Sequence, residues 1–231
     1  MKIRDTVALV TGANRGLGRA WVQLLQEAGA RKVYACARDP AAIDAPGAEA
    51  LQLDITRQDD VDRVARQCGD VGLLVNNAGI IRGGGLLDPQ APDLARQELE
   101  TNLFGTLAMC RAFAPVLARQ GGGAVINVLS ILSWITLPNV ETYSCSKAAT
   151  WAMTNGLRAA LRGQGTQVLA LHVSFMDTDM TAGLDAPKAA PADVVRQALA
   201  ALEAGASEVL ADEMTRQVKA GLSREPAIYL G

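Results

Sequence analysis

The chain has 231 residues, of which 49% are hydrophobic and 20% are charged, and these proportions are typical of a folded globular protein. Its net charge of −2 provides no basic field, so composition argues against binding to nucleic acid or to an acidic membrane surface. A single histidine excludes a metal site built on several histidines, and four cysteines without CxxC spacing indicate reduced thiols in a cytoplasmic protein.

Short apolar runs alternate with segments of helical periodicity along the chain. Seven runs are predicted strands: TVALVT, KVYACA, ALQLD, GLLVN, AVINVLS, QVLALHV and EVLA. The helical segments are Gly18–Ala28, Asp59–Gln67, Asp93–Ala118, Thr142–Leu161 and Ala192–Ala204. Near-continuous apolar strands between helices indicate a parallel sheet covered on both faces. We therefore predict one α/β domain over residues 1–231, with a doubly wound sheet of about seven strands.

The apolar stretches of the sequence do not predict a membrane segment. The apolar run near the N-terminus is too short for a signal peptide. The longest apolar region, GAVINVLSILSWITLP, is interrupted by Asn127, Ser130 and Ser133, and it is too short and too polar to span a bilayer.

The first predicted strand leads directly into the glycine-rich run TGANRGLG, and a predicted helix follows at once. Such a turn lets the backbone approach a pyrophosphate, and the helix N-terminus supplies free N–H groups. The spacing is G-x-x-x-G-x-G, and a tight strand–helix turn without a ligand is the alternative. The strand before and the second strand after favour a dinucleotide site, to which the loop would contribute Gly12, Asn14, Arg15, Gly16, Leu17 and Gly18.

The end of the second predicted strand indicates which dinucleotide binds. An acidic residue there would accept hydrogen bonds from a ribose 2′-hydroxyl, but this chain has Ala37 followed by Arg38. Arg38 and Arg15 suit a 2′-phosphate, which favours NADP over NAD. Two surface arginines without a ligand are the alternative, and Asp39, one residue further on, weighs against NADP.

Two further strand ends carry candidate cofactor residues. Asp54 and Ile55 end the third strand near an expected adenine, although Asp54, Thr56 or Asp59 could instead cap the next helix. The fourth strand runs into NNAG, where we expect Asn76, Ala78 and Gly79 to contact the cofactor. Alone, this run would indicate only a turn.

The fifth predicted strand ends at Ser130, and Tyr143 and Lys147 follow it. The spacing of four residues places the phenol and the ammonium on one helix face, one turn apart. An isolated pair of this kind is usually a solvated helix face. Together, however, the motifs TGANRGLG, Asp54, NNAG, Asn102 in TNLFGT, and the 13-residue interval from Ser130 to Tyr143 resemble the short-chain dehydrogenase/reductase family, of the single-domain type of about 250 residues.

The resemblance implies a Rossmann-type fold and a catalytic role for each of four residues. Tyr143 would exchange a proton with the substrate oxygen, and Ser130 would stabilise the charge on that oxygen. Lys147, helped by the charge of the oxidised nicotinamide, would lower the pKa of Tyr143 from its ordinary value of about 10, and it would also hold the nicotinamide ribose. Asn102 would hold a water that links Lys147 to solvent.

The segment LHVSFMDTDM departs from the family pattern, because Val173 and Ser174 stand where a Pro-Gly pair is usual. This puts the local loop geometry in question. Thr178 and the backbone of Met176 remain as candidates to bind the nicotinamide carboxamide. His172 is predicted to be a packed histidine with its hydrogen bonds satisfied.

The residues around the catalytic motifs predict a small, apolar substrate. Apolar side chains follow the serine and the NNAG run, namely Leu132, Trp134, Ile135, Leu137, Ile80 and Ile81. The short segment from Thr181 to Ala190 predicts an open cleft that would accept a ketone, an aldehyde or an alcohol. Cys145, between Tyr143 and Lys147, is predicted to be a small packing residue.

The sequence is also compatible with other functions. The chain could be an NADPH-binding regulator with little turnover, or a reductase of quinones or diketones. A sugar-nucleotide epimerase is disfavoured because it would need a further C-terminal substrate domain. The resemblance also implies a homodimer or homotetramer in which the segments Asp93–Ala118 and Thr142–Leu161 pair between subunits.

Overall fold

The computed structural model describes residues 1–230 and contains one parallel sheet of seven strands. The strands are β1 (Val7–Thr11), β2 (Lys32–Ala37), β3 (Glu49–Gln52), β4 (Leu73–Asn76), β5 (Ala124–Val128), β6 (Gln167–His172) and β7 (Glu208–Leu210). Their order is β3-β2-β1-β4-β5-β6-β7, and each neighbouring pair is parallel. The predicted doubly wound sheet of about seven strands is confirmed.

Within the described residues, seven α-helices connect or follow these strands. They are α1 (Gly16–Glu27), α2 (Gln58–Gln67), α3 (Ala91–Leu99), α4 (Thr106–Arg119), α5 (Glu141–Ala160), α6 (Pro191–Glu203) and α7 (Glu213–Gly221). A π-helical turn over Glu100–Gly105 separates α3 from α4, where the sequence predicted one helix. The prediction also omitted α7, a short helix that Asp212 caps by accepting a hydrogen bond from the amide of Thr215 at 2.8 Å.

Two hydrophobic cores lie on the two faces of the sheet. In β1, Ala8 and Val10 face the core that α1 and α6 cover, whereas Val7 and Leu9 face the core that α2 and α4 cover. Successive strand residues point to opposite faces, so a strand that is covered on both sides must be apolar at every position. This is why the strands are uninterrupted apolar runs in the sequence.

The order of the strands reverses between β1 and β4. From β1 the chain builds outward to β2 and β3, and from β4 it builds in the other direction. In doubly wound sheets the loops that follow the strands separate at such a point and leave a crevice at their carboxyl ends. This crevice contains the candidate site.

The helices and the cysteines answer two further expectations from the sequence. Within residues 1–230, no helix has both the length and the apolar character needed to cross a membrane. All four cysteines are free thiols, and three of them are buried. Cys145 is exposed, so the prediction that it is a small packing residue is wrong. It lies two residues from both Tyr143 and Lys147, on a side of α5 that faces away from them.

We predict that Gly123→Ala destabilises the fold much more than Gly121→Ala. Both glycines have a positive φ, which costs an alanine about 1–2 kcal/mol. A Cβ on Gly123 would also lie 2.4 Å from the carbonyl oxygen of Gly72, at the junction of β4 and β5, whereas a Cβ on Gly121 meets nothing within 4 Å. We expect the additional loss of unfolding free energy to be about 1–3 kcal/mol, measured by urea unfolding. Equal losses for the two variants would show that the contact with Gly72 does not matter for stability.

Candidate active site

A cleft of about 470 Å³ lies at the carboxyl ends of the strands. The loops after β1 to β6 and one face of α5 form its walls. Most of the predicted site residues line it: Gly12, Asn14, Arg15, Gly16, Leu17, Gly18, Arg38, Asp54, Ile55, Ala78, Gly79, Ser130, Tyr143, Lys147, Met176 and Thr178. The strand ends therefore bring together residues that are widely separated in the sequence.

The glycine loop after β1 has a shape that side chains would prevent. A Cβ on Gly18 would lie 1.9 Å from the carbonyl oxygen of Gly12, and a Cβ on Gly12 would lie 2.9 Å from the Cα of Ala78. Within the described residues, no side chain caps the N-terminus of α1, where Arg15 is the N-cap residue. The first N–H groups of α1 therefore remain available to an anionic group in the cleft, which fits the pyrophosphate of a dinucleotide.

Hydrogen bonds join this loop to the NNAG run after β4. The hydroxyl of Thr11 accepts from the backbone amides of Asn77 and Ala78, both at 3.0 Å. The side-chain amide of Asn77 donates to the carbonyl oxygens of Thr11 at 2.9 Å and of Gly12 at 3.1 Å. Asn77 also lines the cleft, although it was not among the residues predicted from the sequence.

Asn76, which was predicted to contact the cofactor, lies behind the wall of the cleft. It is buried, and its side-chain amide donates to Asn127 Oδ1 at 2.9 Å and to Cys110 Sγ at 3.2 Å. Asn76 is the last residue of β4 and points into the layer of helices, so the alternation of the strand turns the next residue, Asn77, toward the loop. The role in cofactor binding predicted for Asn76 thus has no support from its position.

The end of the cleft next to β2 is cationic. Arg38 is exposed, and within residues 1–230 its side chain has no hydrogen bond and no ion pair. Arg15 lies 3.4 Å from Asp179, but both side chains are about 70% exposed (70% and 73%), so water screens this pair. The carboxylate of Asp39 accepts from the amide of Ala41 at 3.0 Å and caps the turn that follows β2.

Asp54 lines the cleft and does not cap the next helix. Its Oδ1 accepts from the amide of Thr56 at 3.0 Å and from the hydroxyl of Thr56 at 2.7 Å. The N-cap residue of α2 is Arg57, and its side chain makes no capping bond. The interpretation of Asp54, Thr56 or Asp59 as the cap is therefore wrong.

Ser130, Tyr143 and Lys147 form the other end of the cleft. The ammonium of Lys147 donates to the carbonyl oxygen of Val128 at 2.9 Å and lies 5.7 Å from the centre of the Tyr143 ring. Ser130 is 7% exposed, and its hydroxyl oxygen accepts from the amide of Leu132 at 3.1 Å. The spacing of four residues on α5 thus directs the phenol and the ammonium to the same space.

Burial acts in opposite directions on the two ionisable groups of α5. It lowers the pKa of Lys147 to about 8, because the ammonium is removed from water. Burial also raises the pKa of Tyr143 well above its ordinary value, and the charge of Glu98 adds to this effect. In this geometry burial outweighs the nearby ammonium, and the predicted lowering of the Tyr143 pKa by Lys147 together with an oxidised nicotinamide stays a prediction. The phenol keeps its proton and can donate it.

Asn102 lies behind the cleft, in the π-helical turn. Its Oδ1 accepts from the amide of Ile80 at 2.8 Å, and its side-chain amide donates to Ile80 O and to Ser146 Oγ, both at 2.9 Å. Its carbonyl oxygen accepts from Thr150 Oγ1 at 3.1 Å. Asn102 therefore ties the loop after β4 to α5. The predicted role in holding a water stays a prediction.

The loop after β6 is held by contacts that the sequence did not reveal. The amide of Ser174 donates to Asp212 Oδ2 at 2.7 Å, and Val173 is buried in the core that α1 and α6 cover. The hydroxyl of Thr181 also bonds to the carbonyl oxygen of Met176. Met176 and Thr178 consequently reach the cleft without the Pro-Gly pair.

Two further residues shape the site from behind. Glu98 is fully buried and accepts from the amides of Arg82 at 2.7 Å and Gly83 at 3.3 Å, which fixes the loop after β4. His172 is buried as predicted, but only its Nδ1 has a partner, and its Nε2 has none in the described structure. A charged residue in an otherwise apolar helical stripe, as at Glu98, is a signal that could have been used.

The chain is similar to known proteins over most of its length. Residues 6–189 match the family model described as short chain dehydrogenase. A 3-oxoacyl-[acyl-carrier-protein] reductase from Synechocystis is 33% identical over 193 residues, which are 78% of this chain and 78% of that protein. Dehydrogenase/reductase SDR family member 7B from Bos taurus is 32% identical over 198 residues. These residues are 78% of this chain and 60% of the bovine protein.

A solved structure agrees with both the fold and the sequence. A short chain dehydrogenase from Burkholderia cenocepacia, in complex with NADP, superposes with a TM-score of 0.93 and is 42% identical. The match covers 98% of this chain and 96% of that one. The glycine loop, the sheet order and these similarities lead to one conclusion, which is that the chain belongs to the short-chain dehydrogenase family.

Proposed function

We propose that the protein is an NADP(H)-dependent oxidoreductase that interconverts a carbonyl group and an alcohol on a small, apolar substrate. The observation that carries this proposal is the convergence of Ser130, Tyr143 and Lys147 on a cleft whose other end is the glycine loop. A bound nicotinamide would supply the hydride. The loop residues of TGANRGLG, with Arg38, Asp54, Ile55, Ala78, Gly79, Lys147, Met176 and Thr178, would hold the cofactor.

In this proposal Tyr143 is the proton donor. Hydride addition to a carbonyl carbon leaves a negative charge on oxygen, and the phenol gives its proton to that oxygen, so the product is an alcohol. Burial raises the pKa of Tyr143, so the group is protonated at neutral pH and holds the proton that this step requires. Ser130 would hydrogen-bond to the same oxygen. Lys147, with a pKa of about 8, is mostly cationic at pH 7 and stabilises the tyrosinate that the transfer leaves.

The preference for NADP rests on Arg38. It is an exposed cation on the cleft wall with no partner in residues 1–230, whereas the nearest acid, Asp39, is bonded to the amide of Ala41. A guanidinium binds a phosphate through charge-assisted hydrogen bonds. The NADP complex of the Burkholderia cenocepacia relative supports the same cofactor.

The proposal of an apolar substrate rests on apolar side chains in the lining of the cleft. Ile80, Met176 and Met180 line the cleft. Leu132, Trp134 and Ile135, which were candidates from the sequence, pack together beside the cleft instead. The name of the Synechocystis relative refers to a ketone on an acyl chain, which also supports an apolar carbonyl substrate.

Two alternative functions can be distinguished from this one by experiment. A quinone or diketone reductase would use the same residues, and a panel of ketones, aldehydes, diketones and quinones, assayed by NADPH oxidation, distinguishes these substrates. A regulator with little turnover would bind NADPH but oxidise none of it with this panel.

We also propose a homodimer or homotetramer, because α4 and α5 are long helices on the surface and Phe104 beside them is 52% exposed.

We predict that Tyr143→Phe lowers the rate of NADPH-dependent reduction at least about 100-fold, because it removes the proton donor. The dissociation constant for NADPH, measured by fluorescence titration, should change little. Tyr34→Phe is the matched control, since it removes a hydroxyl on β2 that bonds to Asp70 and lies outside the cleft. A Tyr143→Phe variant with substantial turnover would refute the assignment of the donor.

We predict that the wild type uses NADPH with at least a tenfold higher kcat/KM than NADH, because two charge-assisted bonds to a 2′-phosphate, partly screened by water, supply about this much. Arg38→Ala should lose most of the advantage and leave NADH kinetics almost unchanged. Arg31→Ala, which removes another exposed arginine outside the cleft, should keep the ratio. All variants are measured at one ionic strength. Equal or better use of NADH by the wild type would point to Asp39 as the ribose ligand.

A further inference from the structure

The one histidine of the chain lies directly behind the candidate catalytic serine. His172 is the last residue of β6 and is fully buried, and its Nδ1 lies 3.1 Å from the carbonyl oxygen of Ser130. A carbonyl oxygen can only accept, so the ring must carry its proton on Nδ1. This contact therefore fixes both the tautomer and the orientation of the ring.

The carbonyl group of Ser130 has two donors. The amide of Ser133 donates to it at 3.0 Å within the turn that follows, and His172 provides the second bond. The neighbouring amides of Leu129 and Ile131 donate to the backbone of β6 and the loop after it. Ser130 lies beyond the end of β5. Its carbonyl group is therefore bonded to β6 by the side chain of His172 and not by a backbone amide.

An aromatic stack holds the imidazole from the side. The ring of Trp134 is stacked on His172, with centroids 4.0 Å apart and planes at 21°. Trp151 contacts Trp134 edge to face at 6.2 Å. The ammonium of Lys219 lies 4.6 Å from the centre of the Trp134 ring, where a cation and an aromatic face attract.

Burial keeps His172 neutral despite a nearby carboxylate. Glu208 on β7 lies 3.7 Å from Nε2 and is paired with Lys219 of α7 at 2.9 Å, and Lys147 of α5 is also near. Burial, together with the charges of the two lysines, lowers the pKa of His172 to about 4. The hydrogen bond to Ser130 and the charge of Glu208 oppose this lowering. The ring is thus an uncharged donor at neutral pH.

We propose that His172 is a positioning residue, which holds the peptide of Ser130 so that the serine hydroxyl faces the cleft. The ring itself does not line the cleft, so it acts through Ser130 and not on the substrate. A displacement of about 1 Å of a catalytic group can cost about 100-fold in rate. The inference rests on the proposed function, because it requires Ser130 to act on the substrate oxygen.

The first test observes the ring directly and needs no turnover. Because His172 is the one histidine, long-range ¹H–¹⁵N spectra of protein without a polyhistidine tag report this ring alone. We expect a neutral ring with its proton on Nδ1 from about pH 7.5 down to about pH 5.5, since both values lie above the lowered pKa. A proton on Nε2, or a charged ring at pH 7, would overturn the proposal.

The second test separates the hydrogen bond from the stack. His172→Phe keeps an aromatic ring and removes the donor, whereas His172→Asn keeps a donor and removes the ring. We expect His172→Phe to lower kcat about tenfold with the NADPH dissociation constant unchanged, and His172→Asn to recover most of that loss. Phe113→Leu, a buried substitution in the core on the other face of the sheet, is the control for general destabilisation and should leave kcat within about twofold.

A double-mutant cycle shows whether His172 acts through Ser130. On a Ser130→Ala background, His172→Phe should cause less than about a twofold further loss. Losses that multiply, or a His172→Asn variant as slow as His172→Phe, would overturn the proposal. If His172→Phe keeps the wild-type kcat while Ser130→Ala is slow, the positioning role of His172 is refuted and the proposed function is not affected. Wild-type kcat in Ser130→Ala would instead refute the role of Ser130 in the proposed function, and the positioning role of His172 with it.

Discussion

The two backbone amides that converge on the hydroxyl of Thr11 hold the carboxyl ends of β1 and β4 together, and the cleft depends on this junction. The strand order reverses here, so the loops after these strands run in opposite directions across the sheet. Asn77 completes the junction by donating to Thr11 and Gly12. The loops then lie so close that a Cβ on Gly12 would meet Ala78, so glycine at this position is a requirement of packing as well as of backbone conformation.

The cleft combines two electrostatic environments that suit the two ends of one extended ligand. Arg38 and Arg15 are exposed, so they attract an anion and lose little hydration before it arrives. Lys147 is buried, and burial makes its charge costly but also strengthens its interactions with nearby groups. The same burial keeps the proton on Tyr143. Loss of this proton would form a phenolate against both burial and the charge of Glu98.

The sequence predicted the sheet well because the strands contribute side chains to hydrophobic cores on both faces. Such strands appear in the sequence as continuous apolar runs. It also placed Ser130, Tyr143 and Lys147 together, since the spacing on a helix and the end of a parallel strand fix their directions. It failed where the deciding contact lies far away in the chain. Which of Asn76 and Asn77 faces the loop depends on where β4 ends, and the π-helical turn at Asn102 is bonded to Thr150, 48 residues further along the chain. The pKa of Tyr143 depends on burial, which no local pattern reports.

The helix that the sequence did not predict, α7, explains how the cleft retains its shape without a Pro-Gly pair. Its cap, Asp212, accepts from the amide of Ser174, so a tertiary hydrogen bond restrains a loop that a rigid dipeptide would otherwise restrain. Farther along the same helix, Lys219 pairs with Glu208 and lies over Trp134. One short element thus supports the loop after β6 and, through the aromatic stack, the ring of His172 that bonds to the backbone of Ser130. Its stability comes from these contacts and not from its own length, since nine residues are too few for an isolated helix.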